Sequence, residues 1–178
     1  MIQQEALRLF RQQGYAATTV EQIAAAADIS PSTYFRYFPT KEDVILQDEY
    51  DPAIVEAFKA QPAELSPIAA LRGAIREVFA GLSTEEVERM QERLALVKSV
   101  PELRMRMLDE FARNVEMIAE VVAERVGRRP DELPMRTFAG ALVGAVQAAL
   151  LAWSEDPDAD YLALMDAAMA HVDAGVPL

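Results

Sequence analysis

The chain has no cysteine, one histidine and one tryptophan. The first absence excludes disulfides and thiolate metal sites, and agrees with a reducing, cytoplasmic setting. His171, near the C-terminal end, leaves no Glu-x-x-His metal pair and no histidine-centred acid–base constellation, and no Gly-rich phosphate loop occurs. An enzyme would lack its usual parts, so none is expected, and neither is a metal or cofactor. No apolar leader is visible, because the first fifteen residues carry Glu5, Arg8 and Arg11 in an amphipathic pattern. The longest apolar stretch, Phe138 to Trp153, is about one turn short of a bilayer span and rich in Ala and Gly, so it reads as a packed helix and no membrane partner is expected. Strand-like alternation is missing throughout, which makes the fold class all-α.

What is present begins with residues 18 to 41, TTVEQIAAAADISPSTYFRYFPTK. Val20, Ile23, Ala24 and Ala27 recur at i, i+3, i+4 and i+7, one buried helical face. Thr18 or Thr19 precedes it as N-cap. Asp28-Ile29-Ser30-Pro31 then stops this helix and starts another, with Ser30 suited to the cap and Pro31 to the first helical position, where a missing N–H has no consequence. The second helix, to about Tyr37, carries Ser, Thr, Tyr and Arg. Two short helices around a tight turn, the second polar, form a helix–turn–helix suited to the DNA major groove.

Around this stretch, the first helix spans about Ile2 to Gln13 and ends at Gly14, with Ile2, Ala6, Leu7 and Phe10 inward and Tyr15 plugging the core. Phe35 and Phe38 are expected on the inner face of the second motif helix, completing a small three-helix core. A fourth helix starts at Thr40 and runs towards Tyr50, where Asp51-Pro52 should break or kink it. From Ser66 onward only helical periodicity appears, including a capping box from Ser83 to Glu86 and a long helix from Pro101 to Gly127. The last pair spans roughly Pro134 to Trp153 and Asp158 to Ala174, separated by Ser154-Glu155-Asp156-Pro157. About nine helices result, with a DNA-binding domain over residues 1–46 and a helical ligand-binding and dimerisation domain over residues 47–178. The opening Met1-Ile2-Gln3-Gln4 is already in helical register without a capping residue, so the natural chain is expected to begin earlier, with a basic arm.

Thr19-Val20-x-x-Ile23-Ala24, then Ile29-Ser30-x-x-Thr33-x-Phe35-x-Tyr37-Phe38-x-x-Lys41-Glu42, resembles the DNA-binding domain of the TetR family of bacterial transcriptional regulators. The match covers about residues 5 to 46. The resemblance implies a one-component repressor: a helix–turn–helix that binds a palindromic operator, a divergent effector domain, and a homodimer built on the last two helices. It also implies that a small molecule among the middle helices changes the spacing of the reading heads and releases DNA. Carried over by position, Thr19 caps helix two and touches phosphate, and Ser32, Thr33, Tyr34 and Arg36 face the groove beside Ser30 and Pro31. Tyr37 reaches backbone phosphate and Lys41 pairs with another. Phe35 stands where the family more often has Tyr, and Pro31-Ser32 replaces a frequent x-Gly pair.

The acidic stretch Asp48-Glu49-Tyr50-Asp51-Pro52, with the arginines of the middle helices, is similar to the TetR subgroup with acyl-CoA-like ligand domains, as in mycofactocin-system regulators. This implies a long-chain acyl-CoA effector whose tail lies among Met and Phe side chains. Candidate pocket residues are Phe79, Met90, Arg93, Met107, Phe111, Val115 and Trp153. A methionine stripe at helical spacing is more often plain core, the favoured reading for most of them, and Arg89, Arg93, Arg104 and Arg106 suit surface pairs with nearby Glu better than an anionic head group. In the final pair, Ala139, Gly140, Ala141, Gly144, Ala145, Ala148 and Ala149 allow close helix approach. A helix apolar on most sides needs cover on most sides. An isologous four-helix dimer interface is therefore expected from Leu142, Val146, Leu150, Tyr161, Met165, Met169 and Val172.

The net charge of −12 opposes DNA binding, because phosphate contacts need Lys and Arg. Residues 1–50 hold four basic and seven acidic side chains, so most of the acid lies elsewhere, and residues 30–41 carry two basic and no acidic ones. The rival reading is a helical small-molecule-binding or adaptor protein that has lost useful DNA affinity.

Overall fold

The computed structural model describes every residue except Asp48, Glu49, Pro157 and Leu178. The first two open the acidic stretch and the third closes the expected Ser154-to-Pro157 link, so those parts of the expectation lie outside the described residues. Among the described residues there are ten helices and no strand. The all-α class stands, with one helix more than the nine or so expected. Asp51-Pro52 is the reason. Helix α4, Asp43–Leu46, is only a turn long, and α5, Asp51–Ala60, opens with Pro52 in its first turn. A proline expected to break one helix starts another, because first-turn N–H groups have no intrahelical acceptor to lose.

The chain divides into two compact units. The first comprises Met1–Asp48 with Glu88–Glu110. It contains α1 (Ile2–Gln13), α2 (Val20–Ala26), α3 (Pro31–Tyr37) and α4, with most of α7 (Thr84–Ser99) and the first part of α8 (Pro101–Val126). Ala6, Phe10, Ile23, Ala24, Tyr34, Phe38, Val44 and Ile45 are buried together with Val97 and Leu103. A core of three short helices buries little apolar surface, and these last two side chains enlarge it. Residues 88–110, grouped by sequence with the C-terminal region, thus pack with the N-terminal helices.

The second unit comprises Glu49–Val87 with Phe111–Leu178. It holds α5, α6 (Pro67–Phe79), α9 (Leu133–Glu155), α10 (Tyr161–Asp173) and the rest of α7 and α8. Its core includes Phe58, Ile68, Leu71, Ile75, Val122, Met135, Leu142, Met165 and Met169. The helix starts are defined locally. Ser66 Oγ accepts from the Ala69 N–H at 3.2 Å, and Asp160 Oδ1 from the Ala163 N–H at 3.0 Å. The capping box is present, with the Ser83 N–H donating to Glu86 Oε2 at 2.8 Å and the Glu86 N–H to Ser83 Oγ at 3.3 Å. Arg125 secures the α5–α6 loop by donating to the carbonyls of Gln61, Pro62 and Leu65 while lying 5.2 Å from the Phe58 ring centroid. Arg72 of α6 makes a two-pronged pair with Asp166 of α10, both bonds 2.9 Å long.

The α9–α10 pair corrects three residues of the expected dimer face. Leu142, Met165 and Met169 are 1%, 2% and 0% exposed, buried within the chain itself, while Val146, Leu150, Tyr161 and Val172 are half-buried. Leu142, Met165 and Met169 belong to the core of the second unit. Alanines point outward, with Leu133 and Leu151 beside them. Exposed on α9 are Leu133, Pro134, Arg136, Thr137, Ala141, Ala148, Leu151, Ala152 and Glu155, and on α10 Ala163, Ala167, His171 and Asp173. By length and composition alone α9 could cross a membrane, yet Met135, Ala139, Leu142, Val143, Ala149 and Trp153 are buried by the rest of the chain.

Candidate nucleic-acid interface

The helix–turn–helix is held by its caps. Thr19 takes the N-cap of α2 in a reciprocal arrangement: its Oγ1 accepts from the Gln22 N–H at 3.3 Å and its own N–H donates to Gln22 Oε1 at 3.0 Å. Such a cap contributes about 1 kcal/mol. Thr18, the other candidate, is buried and donates to the Gly14 carbonyl at 2.8 Å. Gly14 itself has φ +86°, a left-handed conformation that favours glycine just past a helix. In the turn between α2 and α3, Asp28 takes φ +55°, and short polar side chains tolerate that region better than most. The Ile29 N–H returns to the Ala24 carbonyl at 3.0 Å. Ser30 then caps α3, accepting from the Thr33 N–H at 3.1 Å, with Ser32 Oγ and Thr33 Oγ1 within 2.8 and 2.9 Å of its hydroxyl. Pro31 occupies the first turn, as expected.

The inner face of α3 differs from expectation. Tyr34 is 0% exposed and Phe35 is 48% exposed, the reverse of the assignments made from sequence. Tyr34 and Phe38 are four apart and share a helical face, their ring centroids 5.5 Å apart. Phe35 is rotated from Tyr34 by about 100°. Once Tyr34 enters the core, Phe35 cannot, and leaving half a phenyl ring in water forgoes roughly 1 kcal/mol. The Tyr34 hydroxyl, directed at the Thr40 carbonyl at 3.5 Å, is held well above the usual phenol range by burial, with Asp43 and Glu42 adding to it. Tyr34 is therefore a core residue and not a groove contact.

Ser30, Pro31, Ser32, Phe35, Arg36 and Tyr37 are exposed and Thr33 is half-buried, so the outer side of α3 is polar and aromatic with one cation. The Arg36 guanidinium lies 5.0 Å from the Tyr37 ring centroid and its Nη2 donates to the Tyr37 hydroxyl at 3.5 Å. Lys41, expected as a free phosphate partner, is engaged within the chain. Its Nζ donates to the carbonyls of Tyr15 and Thr18 at 2.8 and 3.0 Å and sits 3.9 Å from the Tyr15 ring centroid. Tyr15 in turn donates to Glu42 Oε1 at 2.7 Å. Burial would raise the Glu42 carboxyl, but the bonds it accepts from Tyr15, its own backbone and Thr40 outweigh this and hold it below the usual glutamate range. Thr40 and the buried Asp43 exchange hydrogen bonds of 2.8 and 3.3 Å at the start of α4. Neither the Tyr15–Glu42 pair nor the exposed Phe35 was foreseen from sequence. The i, i+4 relation of Tyr34 to Phe38 was the signal available for the latter.

The first unit carries nine basic and eleven acidic side chains, so most of the net charge of −12 belongs to the second. Residues 2–47 match the description "Bacterial regulatory proteins, tetR family", and residues 65–177, more than half of the chain, match the MftR C-terminal domain. The chain belongs to the TetR family of bacterial transcriptional regulators. Members of this family are regulators and not enzymes. This TetR-family chain is 36% identical to the HTH-type transcriptional regulator TcmR of Streptomyces glaucescens over 72% of its own length, and spans 60% of TcmR. It is 27% identical to the proposed mycofactocin biosynthesis transcriptional regulator MftR of Mycobacterium tuberculosis, over 96% of this chain and 87% of MftR. The fold is shared with FadR of Thermus thermophilus, solved in complex with lauroyl-CoA: TM-score 0.60, 23% identity, 99% of this chain and 94% of that one. It is also shared with FadR from Bacillus subtilis in complex with stearoyl-CoA: TM-score 0.57, 20% identity, 99% and 98%.

The candidate effector residues separate between the units. Met90, Arg93 and Met107 lie in the first, where Met90 is buried, Met107 packs on the core, and Arg93 donates to the Gln47 carbonyl at 3.2 Å. Phe79, Phe111, Val115 and Trp153 lie in the second. There Tyr161 gathers two of them, stacked on Trp153 at 4.6 Å and edge-on to Phe79 at 6.2 Å, while Tyr50 meets Phe79 at 5.3 Å. Val115 packs against the same core.

Proposed function

We propose that this chain is a ligand-responsive one-component repressor that acts in the bacterial cytoplasm, binds a palindromic operator as a homodimer, and is released by an apolar or acyl-CoA-like effector. The observation that carries this reading is the outer side of α3, where Ser32, Arg36 and Tyr37 stand exposed on a helix fixed beneath by Tyr34 and Phe38. Exposed Ser and Arg side chains on such a helix suit base edges and phosphates. Thr33 beside them and Thr19 at the start of α2 complete the proposed DNA contacts. Dimerisation is supported by the exposed Ala141, Ala148, Leu151 and Ala152 of α9 and Ala163 and Ala167 of α10, an apolar surface left uncovered. A dimer supplies two α3 helices, and half-sites about 34–36 Å apart match successive major grooves.

For the effector, we assign the pocket to the second unit, around Phe79, Phe111, Val115 and Trp153. Support for an acyl chain is the apolar and aromatic character of these side chains, together with the same fold in proteins solved with lauroyl-CoA and stearoyl-CoA. The test is a gel shift on the chain's own upstream region followed by titration with acyl-CoAs. Specific retention reversed by a long-chain acyl-CoA supports the whole reading, while retention unaffected at saturating ligand removes the effector class. Absence of retention even at low salt favours the rival, a helical binding or adaptor protein without useful DNA affinity.

A further inference from the structure

The outer side of α3 carries an aromatic ring for which polar contacts give no role. Phe35 is 48% exposed, three residues beyond Ser32 and next to Arg36. Its ring stands edge-on to Tyr34, with centroids 5.6 Å apart and planes at 85°, and Tyr34 is itself fully buried. The phenyl group is thus supported from beneath while its outer part faces solvent. It has no hydroxyl with which to reach a phosphate. The neighbouring cation is turned to Tyr37, so the ring is not covered by a guanidinium stacked on it. Such a ring gains by meeting an apolar surface, and among base edges in the major groove that surface is the C5-methyl group of thymine.

We propose that Phe35 is a specificity-determining residue that reads a thymine methyl group in each operator half-site. The inference rests on the operator-reading function proposed above and adds a base preference to it. A phenyl ring lying against the sugar–phosphate backbone would be indifferent to that methyl group, and this distinguishes the two placements.

The experiment selects binding sequences for the full chain from a randomised duplex pool, then replaces each thymine of the selected site in turn by deoxyuridine, which removes the methyl group alone. One thymine per half-site is expected to respond, with binding weakened about four-fold for one half-site and about fifteen-fold for both, the loss of one buried methyl group each time. In Phe35→Ala, checked for an unchanged unfolding midpoint, binding to the thymine duplex falls and the deoxyuridine effect vanishes. Phe35→Tyr, which keeps the ring, retains the sensitivity and serves as the second variant. Specific binding that ignores deoxyuridine at every position, or a deoxyuridine effect that persists in Phe35→Ala, overturns the role of Phe35 and leaves operator reading intact. Failure to select any sequence overturns operator reading and this inference with it.

Discussion

The ammonium of Lys41 donates to the backbone carbonyl of Tyr15 at 2.8 Å and lies 3.9 Å from the centroid of the same residue's ring. With its second bond to Thr18, this ties the start of α4 to the link between α1 and α2. Lys41→Met should lower unfolding stability by about 1–2 kcal/mol in urea titrations, since two charge-assisted bonds and a cation–π contact are lost from a half-buried site. The slope of log binding constant against log salt on operator DNA should stay at the wild-type value. Arg36→Ala, on the exposed side of α3, should do the opposite, leaving stability unchanged while the slope falls by about one if its guanidinium meets a phosphate.

Tyr34 separates a core role from a groove role. Tyr34→Ala removes a fully buried ring and should lower stability by about 3–5 kcal/mol. Tyr34→Phe keeps the ring and loses only a long contact to Thr40, so it should change stability by less than about 1 kcal/mol. Operator affinity of Tyr34→Phe should match the wild type in the same gel shift. A large loss of affinity without loss of stability would return Tyr34 to the DNA surface.

Asp166 provides a pH signature. Its hydrogen bonds from Arg72 outweigh burial and, with the nearby charge of Arg76, hold its carboxyl below the ordinary aspartate value of 3.8. A carboxyl depressed in the folded state adds stability above its unfolded value and loses it as pH falls through the folded one. Asp166→Asn should therefore be less stable by about 1 kcal/mol at neutral pH, the pair being partly exposed. Thermal melts should show this difference shrinking below pH 4 as the wild-type carboxyl protonates. A difference that is constant across the acid range would count against the Arg72–Asp166 pair as its source.

The two sides of α9 should respond differently. Ala148→Glu places a charge among the exposed alanines and is expected to yield a folded monomer by light scattering at micromolar concentration. Leu142→Ala, within the core of the second unit, should lower stability by about 2–5 kcal/mol and leave the association state of the folded fraction unchanged. Retained dimerisation in Ala148→Glu would move the interface elsewhere.

Much of this molecule was legible in its sequence because the signals are local. Caps at Thr19, Ser30 and Ser83 act within three residues of themselves, and the helices they start are where periodicity placed them. Faces proved harder. In α3, a seven-residue helix with three aromatics, Phe35 and Tyr34 stand three and four residues before Phe38, and the expected inner face follows the three-residue spacing although the four-residue one favours Tyr34. In α9, apolar character on several sides did not distinguish the side buried in the second unit's core from the side left bare. Pro52 shows a third limit, since one residue type both ends and begins helices. Partners distant in sequence, such as Lys41 with Tyr15 and Arg72 with Asp166, have no local signature at all.

Footprinting of the chain on its own upstream DNA tests the central claim most directly, because it reads specificity, symmetry and dimerisation together. The expected result is a protected palindrome with half-site centres about 10–10.5 base pairs apart, or a multiple of that spacing, and loss of that protection in Ala148→Glu. Absence of protection at any salt concentration, or a single unsymmetrical protected segment that survives in Ala148→Glu, would contradict a dimeric DNA-reading regulator.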